Sequence, residues 1–187
     1  MNMKPSREKA LARLREHVKN EKTVVHCLAS EAVMRALAVR LGEDADRWGL
    51  TGLLHDIDVE MCEGDMTQHS KKGAGLLGEL GVKPTIVQAI LTHNEAHGVP
   101  CDSLLDKALF CADPLTGLIT AGALIRPDKQ LAGVELKSIR KRFKEKSFAA
   151  GANREQIASC INIGMELEEF LGIGLQAMQA ISSDLGL

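Results

Sequence analysis

The chain has 187 residues and a formal net charge of −2, and 45% of its residues are hydrophobic and 26% charged. This length and composition are typical of one globular domain with a single substantial core, so we predict one domain over residues 1–187. Aromatic residues make up only 3% and tyrosine is absent. Few side chains could therefore stack on bases, and a nucleic-acid duplex is not an expected partner.

The sequence carries no signal for membranes or for disulfide bonds. No apolar run reaches the roughly 18 residues that indicate a membrane-spanning helix, and residues 1–9 lack the apolar core of a signal peptide. The five cysteines form no CxxC pair, so neither a disulfide framework nor a thiolate zinc site is favoured. We expect a cytoplasmic protein without a membrane partner.

Hydrophobic periodicity predicts an all-α fold, because apolar residues recur at helical spacing and no segment alternates as a strand does. Ser6 and Thr23 are the predicted N-caps of the first two helices, and Gly42 ends the second. Pro84 suits the first turn of a later helix, and the polar segment 58–65 predicts a loop. The helices expected in this half of the chain cover residues 6–19, 23–41, 44–56, 67–80 and 84–95.

Three further helices are predicted over residues 103–125, 134–148 and 154–185. The basic stretch 137–146 indicates an amphipathic surface helix or, as the alternative, a surface for an anionic substrate or partner. The apolar positions of the last helix fit either the core or the seam of a homodimer. We expect the helices of residues 134–187 to pack on the preceding ones.

The segment 52–58 is the most informative stretch of the sequence. An apolar run, Trp48–Leu54, is followed directly by a histidine and a carboxylate, His55 and Asp56. Burying a carboxylate beside apolar residues is unfavourable without a counter-charge or a metal ion. Neighbouring residues of a helix project about 100° apart, which suits two adjacent positions around one ion.

Four more titratable residues lie on the apolar sides of other predicted helices: His26, His69, His93 and Asp113. Singly, each has an ordinary explanation, because a lone buried histidine is usually held by a carbonyl and an aspartate before proline can be a local cap. Jointly, those explanations require an unrelated partner for every one of six buried groups. One shared ion site satisfies all of them.

These six residues resemble the H…HD…H…H…D signature of the HD-domain superfamily, in its HDIG branch. Residues 112–119 resemble the aspartate-bearing helix of small bacterial HD proteins predicted to be hydrolases. The resemblance covers about residues 23–125 and implies an all-helical bundle. It also implies one metal ion held by His26, His55, Asp56 and Asp113, and a second ion held by His69 and His93 and bridged by Asp56.

The chain departs from the family pattern just after the HD pair. Asp58 replaces the usual glycine, and the lysine that some relatives place near the substrate phosphate is missing. An acidic group there would repel a phosphate unless it binds metal or faces solvent. We name Lys72 and His97 as candidate substrate-binding residues, at helical spacing from His69 and His93; a solvated lysine and a frayed helix end are the alternatives.

The donor set predicts the cofactor, and the resemblance implies the reaction. Four imidazoles and two carboxylates without a thiolate suit Fe, Mn, Ni or Zn better than Ca or Mg. We expect a metal-dependent phosphohydrolase with two divalent transition-metal ions, and Asp56 as the catalytic residue between them. A hydroxide bridging the ions would attack a small phosphorylated substrate such as a nucleotide or dinucleotide. The alternatives are an HD-type di-iron oxygenase and a non-catalytic HD module with a structural metal.

Overall fold

The computed structural model describes residues 5–187, and in that range the chain folds into ten α-helices with no strand. The all-α prediction is confirmed. Short 3-10 turns cover Glu60–Cys62, Glu95–His97, Leu131–Gly133 and Ser159–Ile163. The α-helices are α1 (Arg7–His17), α2 (Glu21–Leu41), α3 (Ala45–Leu54), α4 (Lys71–Glu79), α5 (Pro84–Thr92), α6 (Leu104–Leu124), α7 (Leu136–Lys144), α8 (Arg154–Ala158), α9 (Leu167–Ala180) and α10 (Ser182–Leu185).

The core forms around α2 and α6, the two longest helices. Both bury residues on more than one face because other helices surround them: α2 contacts α3, α6 and α9, and α6 contacts α5, α8 and α7 as well. Trp48 and Phe170 are the largest fully buried side chains and belong to the same hydrophobic cluster. The helices after residue 134 therefore share one core with those before it. Among residues 5–187, no helix combines the length and hydrophobicity that a bilayer crossing requires.

The helix starts agree with the sequence where a side chain caps the backbone. Ser6 accepts a hydrogen bond from the Lys9 amide, as predicted for the first N-cap. The second helix begins two residues before the predicted Thr23, because Asn20 is the cap and accepts from the Lys22 amide. Gly42 ends that helix with φ of 73°, which glycine adopts without a steric cost.

The helix predicted over residues 67–80 is wrong in its first turn. Residues 65–70 form successive turns, in which Asp65 accepts hydrogen bonds from the Thr67 amide and hydroxyl. Ser70 has φ of 71°, so the right-handed helix begins only at Lys71. His69 consequently lies in a turn, and its spacing to Lys72 does not place the two on one helix face.

Two further boundaries differ from the prediction. The helix expected to reach residue 95 ends at Thr92, so His93 is its C-cap and His97 lies in a separate 3-10 turn. The single helix expected over 154–185 is three helices and a 3-10 turn. Gly164, with φ of 75°, lies between Ile163 and the start of α9, and a left-handed residue ends a right-handed helix.

Candidate metal centre

The fold brings together all six residues that the sequence singled out, from five different places in the bundle. His26 lies in α2 and Asp113 in α6, the two central helices. The HD pair follows the last residue of α3, His93 follows α5, and His69 lies in the turn before α4. Several ligands thus lie at helix ends, where a side chain can turn toward a point between the helices.

One half of the centre is formed by His26, His55 and Asp113. The Nε2 atom of His26 lies 3.0 Å from Asp113 Oδ1 and 3.1 Å from His55 Nε2. The distance from His55 Nε2 to Asp113 Oδ1 is 3.5 Å. These three donor atoms lie close enough together to ligate one ion.

The other half is formed by His69 and His93, and Asp56 lies between the halves. The Nε2 atoms of His69 and His93 are 3.3 Å apart, and Asp56 Oδ1 is 3.3 Å from the first and 3.6 Å from the second. The same oxygen is 3.4 Å from His55 Nε2, while Oδ2 of Asp56 is 3.6 Å from His26 Nε2. Asp56 is the carboxylate that reaches all four imidazoles.

The second ring nitrogen of each of the four histidines in the centre donates to an acceptor. His55 and His93 donate Nδ1–H to the carbonyls three residues earlier, of Gly52 and Ile90. His69 donates to Asp58 Oδ1 at 2.8 Å. His26 donates to Thr116 Oγ1 at 2.9 Å, and that hydroxyl donates onward to the Asp113 carbonyl. Since Nδ1 carries a proton in each ring, each of these imidazoles in its neutral form presents the Nε2 lone pair to the centre.

This arrangement fits metal ions. Two Nε2 lone pairs facing each other at 3.1 Å and 3.3 Å repel unless a positive charge lies between or beside them. Ligating histidines usually donate the other ring nitrogen to a carbonyl or a carboxylate, as these do. Four imidazoles and two carboxylates without a thiolate match Fe, Mn, Ni or Zn. The identity and number of ions stay predictions.

The electrostatics of the centre are those of buried carboxylates surrounded by imidazoles. Burial lowers the pKa of His55, but Asp56 and Asp113 outweigh it and raise that pKa to about 9. Burial likewise opposes the charged form of His69, whose pKa Asp56 and Asp58 raise to about 10. Although burial disfavours the charged carboxyls, the histidines hold the pKa values of Asp56 and Asp113 well below their usual range. The carboxylates stay negative and need positive charge around them.

Asp58 is a site residue that the sequence reading treated only as a departure from the family pattern. It is fully buried and does not face the cavity as a free acid. Its Oδ1 accepts from His69, and its Oδ2 accepts from the Gly73 amide at 2.6 Å. The signal was present in the sequence, because a carboxylate just after a buried apolar run has to find a donor.

A cavity of about 470 Å³ opens over the centre. Three of its lining residues come from a segment after the six ligands, residues 151–156, which the sequence reading did not connect with the site. Among residues 5–187, no lysine or arginine lines this cavity. The lining residues are Asp56, Val59, Met66, His69, His93, Asn94, Glu95, Ala96, Asp113, Gly151, Asn153 and Gln156.

Lys72 and His97 do not line this cavity. The Lys72 ammonium donates to the Met61 carbonyl at 2.9 Å. His97 donates Nε2–H to the carbonyl of His69 at 2.6 Å, so it braces the turn that carries a ligand. Their predicted contact with substrate stays a prediction.

Arg154 fixes the segment that forms the outer wall of the cavity. Its guanidinium is surrounded by backbone acceptors, so that one side chain connects the end of α7 to the start of α8. With the chain held there, Gly151, Asn153 and Gln156 face the metal centre. The carbonyls that accept from it belong to Arg142, Phe143, Glu145, Phe148, Ala149 and Ala152.

Comparison with known proteins gives a family match and one relative. The HD domain family model matches residues 23–118, a range that contains all six candidate ligands and excludes residues 151–156. Ribonuclease Y of Sulfurovum sp. (strain NBC37-1) is 29% identical over 152 residues, which are 81% of this chain and 28% of the relative. The chain thus spans less than a third of that protein's length. No solved structure matches.

Proposed function

This chain belongs to the HD domain family, and on that premise we propose that it is a metal-dependent phosphohydrolase. Its substrate on this proposal is a small phosphoester, a nucleotide or a dinucleotide. The superfamily consists mostly of metal-dependent hydrolases. The observation that carries the proposal is the convergence of four Nε2 lone pairs on Asp56 at the floor of an open cavity.

The proposed ligands divide into two positions that share Asp56. One consists of His26, His55, Asp56 and Asp113; the other consists of His69, His93 and Asp56. When bound, divalent ions would supply Lewis acidity toward a phosphoryl oxygen and lower the pKa of a water molecule to the neutral range. The protein's part is to orient the imidazoles through their Nδ1–H donors, so that Nε2 faces the centre, and to keep Asp56 charged between the two positions.

The cavity wall limits where a phosphate can be bound. Because the described part of the chain places no lysine or arginine in this wall, we propose that the phosphate charge is met at the centre itself. The wall offers amides instead: the Asn94, Asn153 and Gln156 side chains. Within residues 5–187, the hydrogen bonds of Gln156 are all made by its backbone, so we propose that its side-chain amide contacts a polar group of the substrate.

The name of the relative guides the choice of first substrate. Ribonuclease Y is named for cleavage of RNA, so a phosphodiester between nucleotides is the first bond to test. The size of the cavity favours a short, single-stranded substrate, since about 470 Å³ accommodates a few nucleotide units at most. The 3% aromatic content also gives little stacking surface for a long strand.

The test is turnover of a defined panel by protein loaded separately with Mn, Fe, Ni and Zn. The panel contains bis(p-nitrophenyl) phosphate, a ribodinucleotide, nucleoside monophosphates and a short single-stranded RNA. We expect Asp56→Asn to abolish turnover, while Asp102→Asn, which changes an exposed carboxylate outside the cavity, retains it. No hydrolysis of any of these by any metal form, or equal rates for both variants, would contradict the proposal.

A second candidate follows from the lack of cations on the cavity wall. A substrate without phosphate needs no lysine or arginine, and the same N- and O-donor set can hold two irons. The second candidate is therefore a di-iron oxygenase acting on a small polyol. Oxygen consumption by the iron-loaded protein in the presence of such a substrate, without phosphate release from the panel above, would favour it over hydrolysis.

A further inference from the structure

We propose that Asp58 is a positioning residue that fixes the ring of His69, and thereby sets the affinity of the metal position formed by His69, His93 and Asp56. This inference rests on the metal centre of the proposed function. It does not depend on which bond the protein cleaves. Asp58 touches neither the cavity nor the Nε2 atoms, so it acts only through the histidine.

Both oxygens of the Asp58 carboxylate accept hydrogen bonds. The side chain is fully buried, where an unpaired carboxylate would be very costly. Oδ1 accepts from His69 Nδ1–H at 2.8 Å, and Oδ2 accepts from the Gly73 amide at 2.6 Å. With one oxygen held by the first turn of α4 and the other by the imidazole, the ring is tied to the helix that follows it.

Gly73 allows the Asp58 carboxylate to approach the backbone of α4. A Cβ at that position would lie 3.2 Å from Asp58 Cγ and 3.3 Å from its Oδ2, which is closer than an ordinary contact. A side chain at residue 73 would therefore push the carboxylate away from the α4 amide. The glycine permits an approach that the hydrogen bond at Oδ2 requires.

His69 needs an added partner because its own backbone does not supply one. His55 and His93 follow helices and donate to the carbonyl three residues earlier. The equivalent carbonyl for His69 is that of Met66, and it already accepts from Asn94 Nδ2 at 2.7 Å. The turn residue after His69 has positive φ, so no helix constrains the ring. Asp58 supplies the missing acceptor.

The neighbourhood allows one rival interpretation. Asp58, Cys62 and His69 are all buried and lie close enough together to hold an ion themselves. In that case Asp58 would be a direct ligand, and the Cys62 thiolate would share the ion. The two interpretations differ in what happens when Cys62 alone is changed.

The experiment measures metal content and metal affinity by competition with a chromophoric chelator, for the wild type and for Asp58→Asn, Asp58→Ala, Gly73→Ala and Cys62→Ser. We expect the wild type to bind two ions. Asp58→Ala should weaken one of them by about 10- to 100-fold, the usual effect of removing such a partner, and leave the other unchanged. Asp58→Asn keeps an acceptor and should show a smaller loss, Gly73→Ala a loss in the same direction, and Cys62→Ser none.

Selective weakening of one ion separates positioning from a general loss of structure, which would affect both. If Asp58→Ala does not fold by circular dichroism, Asp58→Asn and Gly73→Ala provide the same comparison. Unchanged affinities, or equal loss of both ions, would overturn the inference while leaving the proposed function intact. Loss of an ion in Cys62→Ser would assign Asp58 as a ligand. A wild type that takes up fewer than two ions would overturn the inference, because the second metal position would then not exist.

Discussion

Substitution of Gly52 by alanine tests whether the close contact between α2 and α3 builds the metal centre. A Cβ at residue 52 would lie 2.5 Å from the Ser30 carbonyl oxygen and 2.9 Å from the Glu31 amide nitrogen. Both are backbone atoms inside α2, so no side chain can turn away. The two helices must separate by roughly 1 Å before the contact is an ordinary one, and overpacking of this kind costs roughly 1–3 kcal/mol.

A separation of α2 and α3 would also move two of the candidate metal ligands apart. The Gly52 carbonyl accepts from His55 Nδ1, and His55 Nε2 lies 3.1 Å from His26 Nε2 on α2. A separation of roughly 1 Å between the helices therefore changes the distance between two ligands of one ion. We expect Gly52→Ala to lower the free energy of unfolding in urea by roughly 1–3 kcal/mol and to weaken binding of one metal ion.

Gly78→Ala is the matched control for this substitution. Gly78 lies in α4 with no atom near the position of an added Cβ, so alanine should stabilise the protein by about 0.5–1 kcal/mol through its helix propensity. Both variants make the same chemical change in a helix, and only the neighbouring backbone differs. If Gly52→Ala proves as stable as Gly78→Ala and binds metal like the wild type, the argument from close packing is refuted.

Three other perturbations follow from the described contacts. Metal removal by a chelator should lower the melting temperature in calorimetry by roughly 5–10 °C for each ion removed, since one ion present at 100 times its dissociation constant contributes about 2.7 kcal/mol. Arg154→Ala should lower the free energy of unfolding in urea by roughly 1.5–3 kcal/mol and increase proteolysis at residues 145–152. The control is Arg140→Ala, which breaks an exposed ion pair with Glu168 and should lower that free energy by at most about 1 kcal/mol. Glu31→Gln should cost roughly 1–3 kcal/mol in urea, because the buried carboxylate accepts from two arginines; an unchanged midpoint would contradict that role.

The sequence pointed to several of the six candidate ligands because their surroundings leave a periodic pattern. His26 and Asp113 lie in long helices whose apolar neighbours recur at helical spacing, and His55 follows an apolar run. The all-α fold could be predicted for the same reason. Period and composition are properties of a single segment, so they can be read from the chain in order.

The partners of these residues could not be predicted, since they depend on contacts between segments. That His26 donates to Thr116, across 90 residues, depends on how α2 packs against α6. The turn that carries His69 was mistaken for helix because its polar residues fit both states. Asp65, which caps that turn through its side chain, lies outside any hydrophobic pattern.

The metal ligands and the outer wall of the cavity come from different parts of the chain. All six ligands lie within the range that matches the HD domain family, 23–118, whereas Gly151, Asn153 and Gln156 lie beyond it. The ligands are held by the packing of α2, α3, α5 and α6, while the outer wall is held by the guanidinium of Arg154 and its backbone acceptors. Because the two parts are anchored by different contacts, a change of wall residue can alter substrate preference without moving a ligand. On the proposed function, the centre determines the reaction, and the segment 151–156 contributes to which phosphoester reaches it.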